Sequence, residues 1–476
     1  MAFLRNVRFV VVVVYLHTVF SQDAVPSVHL QALSPKGFRV WIVDDPKIKL
    51  FAFQGNINGP INKNDVGTIS GEITEAKDGK WIFEDPNLEL KIGDVINYYV
   101  FVFMQNTGYV KDGLSFTVQK LESPHLAENP KLPSCEPTIT KVRGGSACAS
   151  EIIFEDDFNS LNEGQWQIEK YIPKNHAEYP FISYQQLTSD PTVKVENGNL
   201  QISAKLQANL PGFSSESLYT GSLNLFQGCT APGDLCVKRV MGADIIPPVV
   251  TGRITSKTFA FTYGTVYVRA KMPKGDWLYP EILIEPVIKK YGASDFNSGV
   301  IKIASARGNT LLYANGTDYS NKVLYGGPIM DSQCWDTLLK RKTKSSGNWG
   351  DDFHLYAMRW TPDSITLMID NEEWARVDVG PTGIRNLFPK SCNLPRDLLS
   401  MGSNMAPFDD HFYLTLGLAA GGVTDFPDDS YTTADHPKPW RNRGRKAMLN
   451  FWQDTDWFNT WVQPQLVIDS IKVVAL

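Results

Sequence analysis

The 476-residue chain exceeds what one hydrophobic core usually organises, so two domains are expected. Hydrophobic residues make up 43%, charged residues 20%, and the formal net charge is −5. That is the composition of an ordinary globular protein, neither disordered nor polybasic, and it argues against a nucleic-acid partner.

The first stretch, MAFLRNVRFVVVVVYLHTVFSQ, has a cationic start in Arg5 and Arg8, an apolar run from Phe9 to Leu16, and Ser21 with Val19 two residues before it. It reads as a secretory signal over residues 1–21, with the mature chain beginning near Gln22. The apolar run is too short to cross about 30 Å of hydrocarbon, and no later segment is long and apolar enough. A secreted, extracellular protein without a membrane span is expected.

Residues 22–120 carry short alternating runs, FRVWIV, KLFAFQGNI, GKWIFEDP, VINYYVFVFMQN and LSFTVQ, separated by turns such as Pro35-Lys36-Gly37 and Lys77-Asp78-Gly79-Lys80. So many strands in so short a span predict a small immunoglobulin-like β-sandwich. Residues 121–150 lose the apolar periodicity and gather Pro, Ser, Gly and charge, as a linker does. A second, longer all-β region occupies 151–476.

The six cysteines fit an oxidising compartment. Their order suggests the local pairs Cys135 with Cys148, Cys229 with Cys236 and Cys334 with Cys392, leaving the other connectivities open. No CxxC pair or His-rich cluster accompanies them, so no metal is expected, nor any cofactor. Asn315-Gly316-Thr317 is a glycosylation sequon.

In the second region FEDDFNSLNEGQW, GTVYVRAKMPKGDWLYPEILIEP, SGVIKIASARGN, DDFHLYAMRWTPDSITLMID and KPWRNRGRKAMLNFWQDTDWFNTW occur in the order found in glycoside hydrolase family 16. The whole chain resembles the insect β-1,3-glucan recognition proteins, also called Gram-negative bacteria-binding proteins. The resemblance implies a concanavalin-like β-jelly-roll over 151–476, behind a glucan-binding domain over 22–120.

Active hydrolases of that family place Glu, Asp and Glu on the strand between SG and SRGN, as nucleophile, electrostatic modulator and acid/base. Retaining hydrolysis needs two carboxyl groups about 5–5.5 Å apart, one ionised and one protonated. Here Ser298-Gly299 and Arg307-Gly308-Asn309 match the borders, while Val300, Lys302 and Ser305 occupy the three positions. None can perform the role, so no enzyme activity is expected. Glu281 and Glu285 on PEILIEP share a face by their even separation, yet nothing in the resemblance brings them to a glycosidic oxygen.

A cleft without catalysis can still stack sugars on aromatic rings, and Trp277, Tyr279 and Trp440 are the candidates. In the first domain the resemblance assigns Trp81 of DGKWIFED to the glucan-binding surface, although alternation alone also permits a core role beside Phe83. Asp44 and Asp45 after FRVWIV, Lys111-Asp112 in GYVKDG, and Tyr99 complete the expected glucan-binding set. The basic stretches LLKRKTKSSG and WRNRGRK are candidates for lipopolysaccharide or lipoteichoic acid, against the plainer reading of solvated charge.

The resemblance implies a non-catalytic pattern-recognition protein of the haemolymph. It would bind β-1,3-glucan and pass the signal to serine proteases of prophenoloxidase or Toll activation. The alternative is a secreted endo-β-1,3-glucanase, against which the absence of carboxylates from Val300 to Ala306 speaks.

Overall fold

The computed structural model describes residues 25–476 apart from 46, 64, 78, 105–106, 123–134, 295 and 434–435. The expected secretory signal and residues 123–134 of the expected linker therefore lie outside the described residues. The chain divides into a small unit made of the residues before Cys135 together with 144–146, and a large one made of residues 135–143 and 147–476. No helix among the described residues is long and apolar enough to cross a membrane.

The small unit is a seven-stranded sandwich: β1 (His29–Ala32), β2 (Phe38–Val43), β3 (Ile48–Ile57), β4 (Ile69–Ile73), β5 (Lys80–Asp85), β6 (Val95–Met104) and β7 (Thr107–Thr117). One sheet has the order β1-β2-β5, the other β4-β3-β6-β7, and all pairings are antiparallel. The alternation of FRVWIV explains β2, since Phe38, Val40 and Ile42 point into the core while Arg39, Trp41 and Val43 point out. Opposite them stand Phe51 and Phe53 of β3 and Ile96, Val100 and Val102 of β6, all buried in one cluster.

The large unit is a jelly-roll sandwich of two antiparallel sheets. One, of nine strands, runs through Arg253–Ser256, Phe412–Ala420, Leu278–Pro286, Val300–Ala306 and Val323–Ile329 in adjacent positions. The other, of eight strands, is centred on Gln465–Val474, Gly264–Lys271 and His354–Trp360. Ile282, Ile284, Ile301 and Ile303 from the first sheet share a core with Val266, Val268, Met358, Leu367 and Ile468 from the second. What matters for function is the opposite face of the nine-stranded sheet, where Glu281, Lys302 and Ser305 lie.

Candidate functional site

The strand Val300–Ala306 is buried on both faces. Val300 packs with Leu283, Phe296 and Ile329 in a small apolar cluster of its own. Ser305 donates to the carbonyl of Pro280 at 3.3 Å. Lys302 is 4% exposed, and its ammonium lies 2.9 Å from Glu178 and 3.6 Å from Asp425. Arg307 completes the group, its Nε standing 3.1 Å from the Asp425 carboxylate and donating to the Asp425 carbonyl at 2.7 Å. Burial penalises the Glu178 carboxylate, but the charges of Lys302 and His176 and the hydrogen bonds from Lys302 and Tyr279 together outweigh it and hold Glu178 below the usual carboxylate range. The same ion pairing holds Lys302 above its ordinary value despite its burial.

Glu178 and Asp425 belong to segments that close over this strand. Val423 donates its backbone N–H to the Glu178 carbonyl at 2.8 Å, and Gly421 donates to Trp277 at 2.8 Å. Gly422 has φ +95°, and a Cβ there would meet the Glu178 carbonyl at 2.8 Å, so only glycine lets the two segments run this close. Where the resemblance puts an open carboxylate-lined floor, this chain has a salt-bridged interior.

Glu281 and Glu285 do share a face, as their spacing predicts, and both are spent on Arg253. Its guanidinium lies 3.0 Å from Glu281 and also pairs with Glu285, which accepts from Thr415 at 2.6 Å. Tyr184 donates to the Glu281 carboxylate at 2.9 Å. Burial lifts the Glu281 carboxyl, and the charge of Arg253 only partly offsets this. Both carboxylates are engaged in ion pairs with the one guanidinium.

The three aromatic cleft candidates are corrected. Trp277 is 0%, Tyr279 1% and Trp440 2% exposed, so none offers a ring face to a sugar. Trp277 and Trp440 meet edge to face at 5.0 Å, and both rings contact Phe426. Tyr279 turns its hydroxyl to Glu178 at 3.3 Å, with Lys302 5.7 Å from its ring centre. A conspicuous aromatic beside a motif was here a core residue, the commoner fate of tryptophan in a β-sandwich.

In the small unit Trp81 is also corrected. It pairs with Ile42 across β2 and β5 and is 4% exposed, inside the sandwich core. Alternation said that Trp81 and Phe83 share a face, and the register makes that face the inner one. Its indole N–H donates to the carboxylate of Asp44 at 2.7 Å, so Asp44, exposed at the end of β2, is held in place from beneath. Asp45 accepts the backbone N–H of Lys47 at 2.9 Å and caps the turn.

The residue that sequence reading missed is Trp41. It lies on the outer face of the β1-β2-β5 sheet, stacked on His29 with ring centres 5.3 Å apart and planes inclined by 17°. Lys80 brings its ammonium to 5.1 Å from the Trp41 ring, Ile82 is the Trp41 partner on β5, and Val43 is 58% exposed. The signal was present in FRVWIV, because fixing Phe38, Val40 and Ile42 inside leaves Trp41 outside. The result is a shallow apolar platform edged by an ammonium, on the strand that runs into Asp44 and Asp45. Flat rings of this kind stack on the CH faces of sugars while charged neighbours hydrogen-bond the hydroxyls.

Tyr99, Lys111 and Asp112 do not join that platform. Tyr99 points outward from the other sheet with Phe101 and Phe103, and its hydroxyl donates to the Asp65 carbonyl at 2.9 Å. A register shift between Tyr98 and Val100 sets Asp112 and Gly113 of β7 opposite Tyr99, a bulge that leaves Asp112 exposed. A recess of about 460 Å³ beside it is lined by Asn58, Pro60, Asn97 and Leu114 among others. The expected glucan-binding residues thus fall into two groups on opposite sheets.

The disulfides are Cys135–Cys148, Cys229–Cys236 and Cys334–Cys392. Asn315 is exposed in an Asn-Gly hairpin turn, with φ 49° followed by 75° at Gly316. Arg341 and Lys342 of the first basic stretch, and Arg441, Arg443, Arg445 and Lys446 of the second, are exposed; Arg441 pairs with Asp429.

Residues 24–130 match the CBM39 family model, described as a carbohydrate binding domain (family 32). Over its whole length the chain is similar to the Beta-1,3-glucan-binding protein of Hyphantria cunea, at 58% identity covering 98% of each chain. It is similar to Gram-negative bacteria-binding protein 3 of Drosophila melanogaster at 32% identity, covering 95% of this chain and 94% of that one. Among solved structures, the laminarinase from Rhodothermus marinus is 18% identical with a TM-score of 0.44, covering 69% of this chain and 98% of that one.

Proposed function

This chain belongs to the family of β-1,3-glucan-binding and Gram-negative bacteria-binding proteins, and from that premise we propose that it is a secreted recognition protein that binds microbial β-1,3-glucan without cleaving it. The observation that carries the reading is the strand Val300–Ala306, where an ammonium clamped between Glu178 and Asp425 stands in place of a catalytic carboxylate. Hydrolysis needs two carboxyl groups that reach a glycosidic bond. The acids nearest this strand are already bound to Lys302, Arg307 and Arg253.

Glucan is held on the small unit. The Trp41 platform takes the apolar face of the sugar, Asp44 and Asp45 take its hydroxyls, and the Tyr99, Lys111 and Asp112 group provides contacts on the other sheet. Shallow surfaces suit a polymer, since weak contacts repeated along it multiply into avidity. The large unit serves signalling, by assembling serine proteases of the prophenoloxidase or Toll pathways in the haemolymph. Its exposed cations near Arg341 and Arg443 offer a secondary contact for lipopolysaccharide or lipoteichoic acid. The sequon at Asn315 carries a glycan.

The purified protein is expected to sediment with insoluble β-1,3-glucan while releasing no reducing ends over a buffer blank. Oligosaccharide release would restore the glucanase reading, and failure to sediment would remove the glucan one.

A further inference from the structure

The outer face of the β1-β2-β5 sheet carries a second row of side chains beside Trp41. Residues opposite one another in an antiparallel pair share a face, so His29, Trp41 and Ile82 form one row across the three strands, and Gln31, Arg39 and Glu84 form the next. Two residues of strand separate the rows, roughly 7 Å. Lys80 stands on the far side of the aromatic row, opposite Val43.

The second row is tied together by its own side chains. Arg39 Nε donates to Gln31 Oε1 at 2.6 Å, and the Gln31 amide donates to the Glu122 carboxylate, which Lys120 also meets at 2.9 Å. Glu122 reaches the row because its backbone bonds to Ala32 and Ser34, alongside β1. These contacts fix which end of the Gln31 amide faces Arg39. On its other side Arg39 holds Glu84 only at 3.9 Å, with the two side chains 29% and 57% exposed. So long and open an ion pair adds little to stability, and it leaves guanidinium donors and carboxylate lone pairs facing outward. The charges of the row also balance, Lys120 and Arg39 against Glu84 and Glu122. A polyanion meets as much repulsion as attraction here, whereas a neutral, hydroxyl-rich ligand meets donors and acceptors side by side.

We propose that Arg39 and Glu84, with Arg39 positioned by Gln31, are the hydroxyl-reading half of the glucan face: a chain lying across β1, β2 and β5 sets pyranose rings over the Trp41 row and turns their edges to this pair. The assignment rests on the glucan reading above and adds a stereochemical preference to it. Every hydroxyl of β-glucose is equatorial, so a ring lying flat on the platform directs its hydroxyls sideways, toward the flanking row. An axial hydroxyl, such as that at C2 of mannose, leaves this plane and misses the row. The face therefore favours gluco-configured over manno-configured sugars.

The test uses the full-length chain, sedimented with insoluble β-1,3-glucan, with denaturant unfolding of each variant in parallel. Arg39→Ala and Glu84→Gln are each expected to weaken binding about 3- to 10-fold, on the scale of one lost hydrogen bond, without moving the unfolding midpoint. Arg39→Lys keeps the charge without the fork and is expected to recover only part of the loss. Methyl β-glucoside is expected to compete with the polymer at lower concentration than methyl β-mannoside, its C2 epimer, and Arg39→Ala to narrow that difference. Should wild type fail to sediment, the glucan reading falls and this assignment with it. If wild type sediments and Trp41→Ala weakens it, while Glu84→Gln and a folded Arg39→Ala bind like wild type, the row is overturned alone and the platform stands. Glu84 is the more exposed partner, so Glu84→Gln decides should Arg39→Ala misfold. A glucoside that competes no better than the mannoside would overturn the stereochemical preference.

Discussion

Replacing Lys302 with methionine is expected to cost the large unit about 3–5 kcal/mol, the scale for removing one partner of a buried ion pair. The ammonium lies between Glu178 and Asp425, and all three are shielded from water. Methionine fills the stem's volume but removes the ammonium, leaving Glu178 with the Tyr279 hydroxyl and the nearby His176 to offset its charge. Chemical unfolding monitored on the large unit reads the loss. Glu178→Gln in the same chain should return part of it, since a neutral amide no longer needs the ammonium. A loss below about 1 kcal/mol would mean that the network contributes little. The pH dependence follows in sign: Glu178 is depressed when folded, so its contribution is present above the ordinary carboxylate range and is lost as pH falls through and below it.

Trp41→Ala is expected to weaken glucan binding by about 1–3 kcal/mol, or roughly 5- to 150-fold, without a comparable loss of fold stability. The ring lies outside the core cluster, so its removal uncovers little interior. Trp81→Ala should do the reverse. Truncating a buried tryptophan costs about 3–5 kcal/mol, and its loss of binding should follow the fraction unfolded. Glucan sedimentation and denaturant unfolding of both variants separate the two. If Trp41→Ala sediments like the wild type while a folded Trp81→Ala does not, the binding tryptophan is Trp81 after all.

Local pattern carried the strands well, because alternation is a property of neighbouring residues. FRVWIV and VINYYVFVFM show which side chains share a face, and the structure keeps those partitions. Pattern says less about which face is inner, and that is where Trp81 went astray: the pairing of Ile42 with Trp81 settles it across a turn-rich stretch of chain. The missing carboxylates of SGVIKIASARGN were legible residue by residue. Their replacement was not. Glu178 and Asp425 come from segments far before and far after Lys302 in sequence, and only folding shows that they converge on it. The burial of Trp277 and Trp440 likewise depends on each other and on Phe426, contacts that no spacing rule encodes.

The closure of segments 176–180 and 421–425 over the strand has a consequence for reversibility. Writing glutamate, aspartate and glutamate back at 300, 302 and 305 would put an acid into the apolar cluster around Val300 and an aspartate beside Glu178 and Asp425 in place of the cation that tolerates them. Like charges so close and so dry cannot all ionise. The covering segments would also still exclude a polymer. On the proposed non-cleaving reading, hydrolysis on this strand would require clearing the roof before rebuilding the floor. Mutational drift along such a path is opposed by folding itself, whatever advantage the restored chemistry would bring.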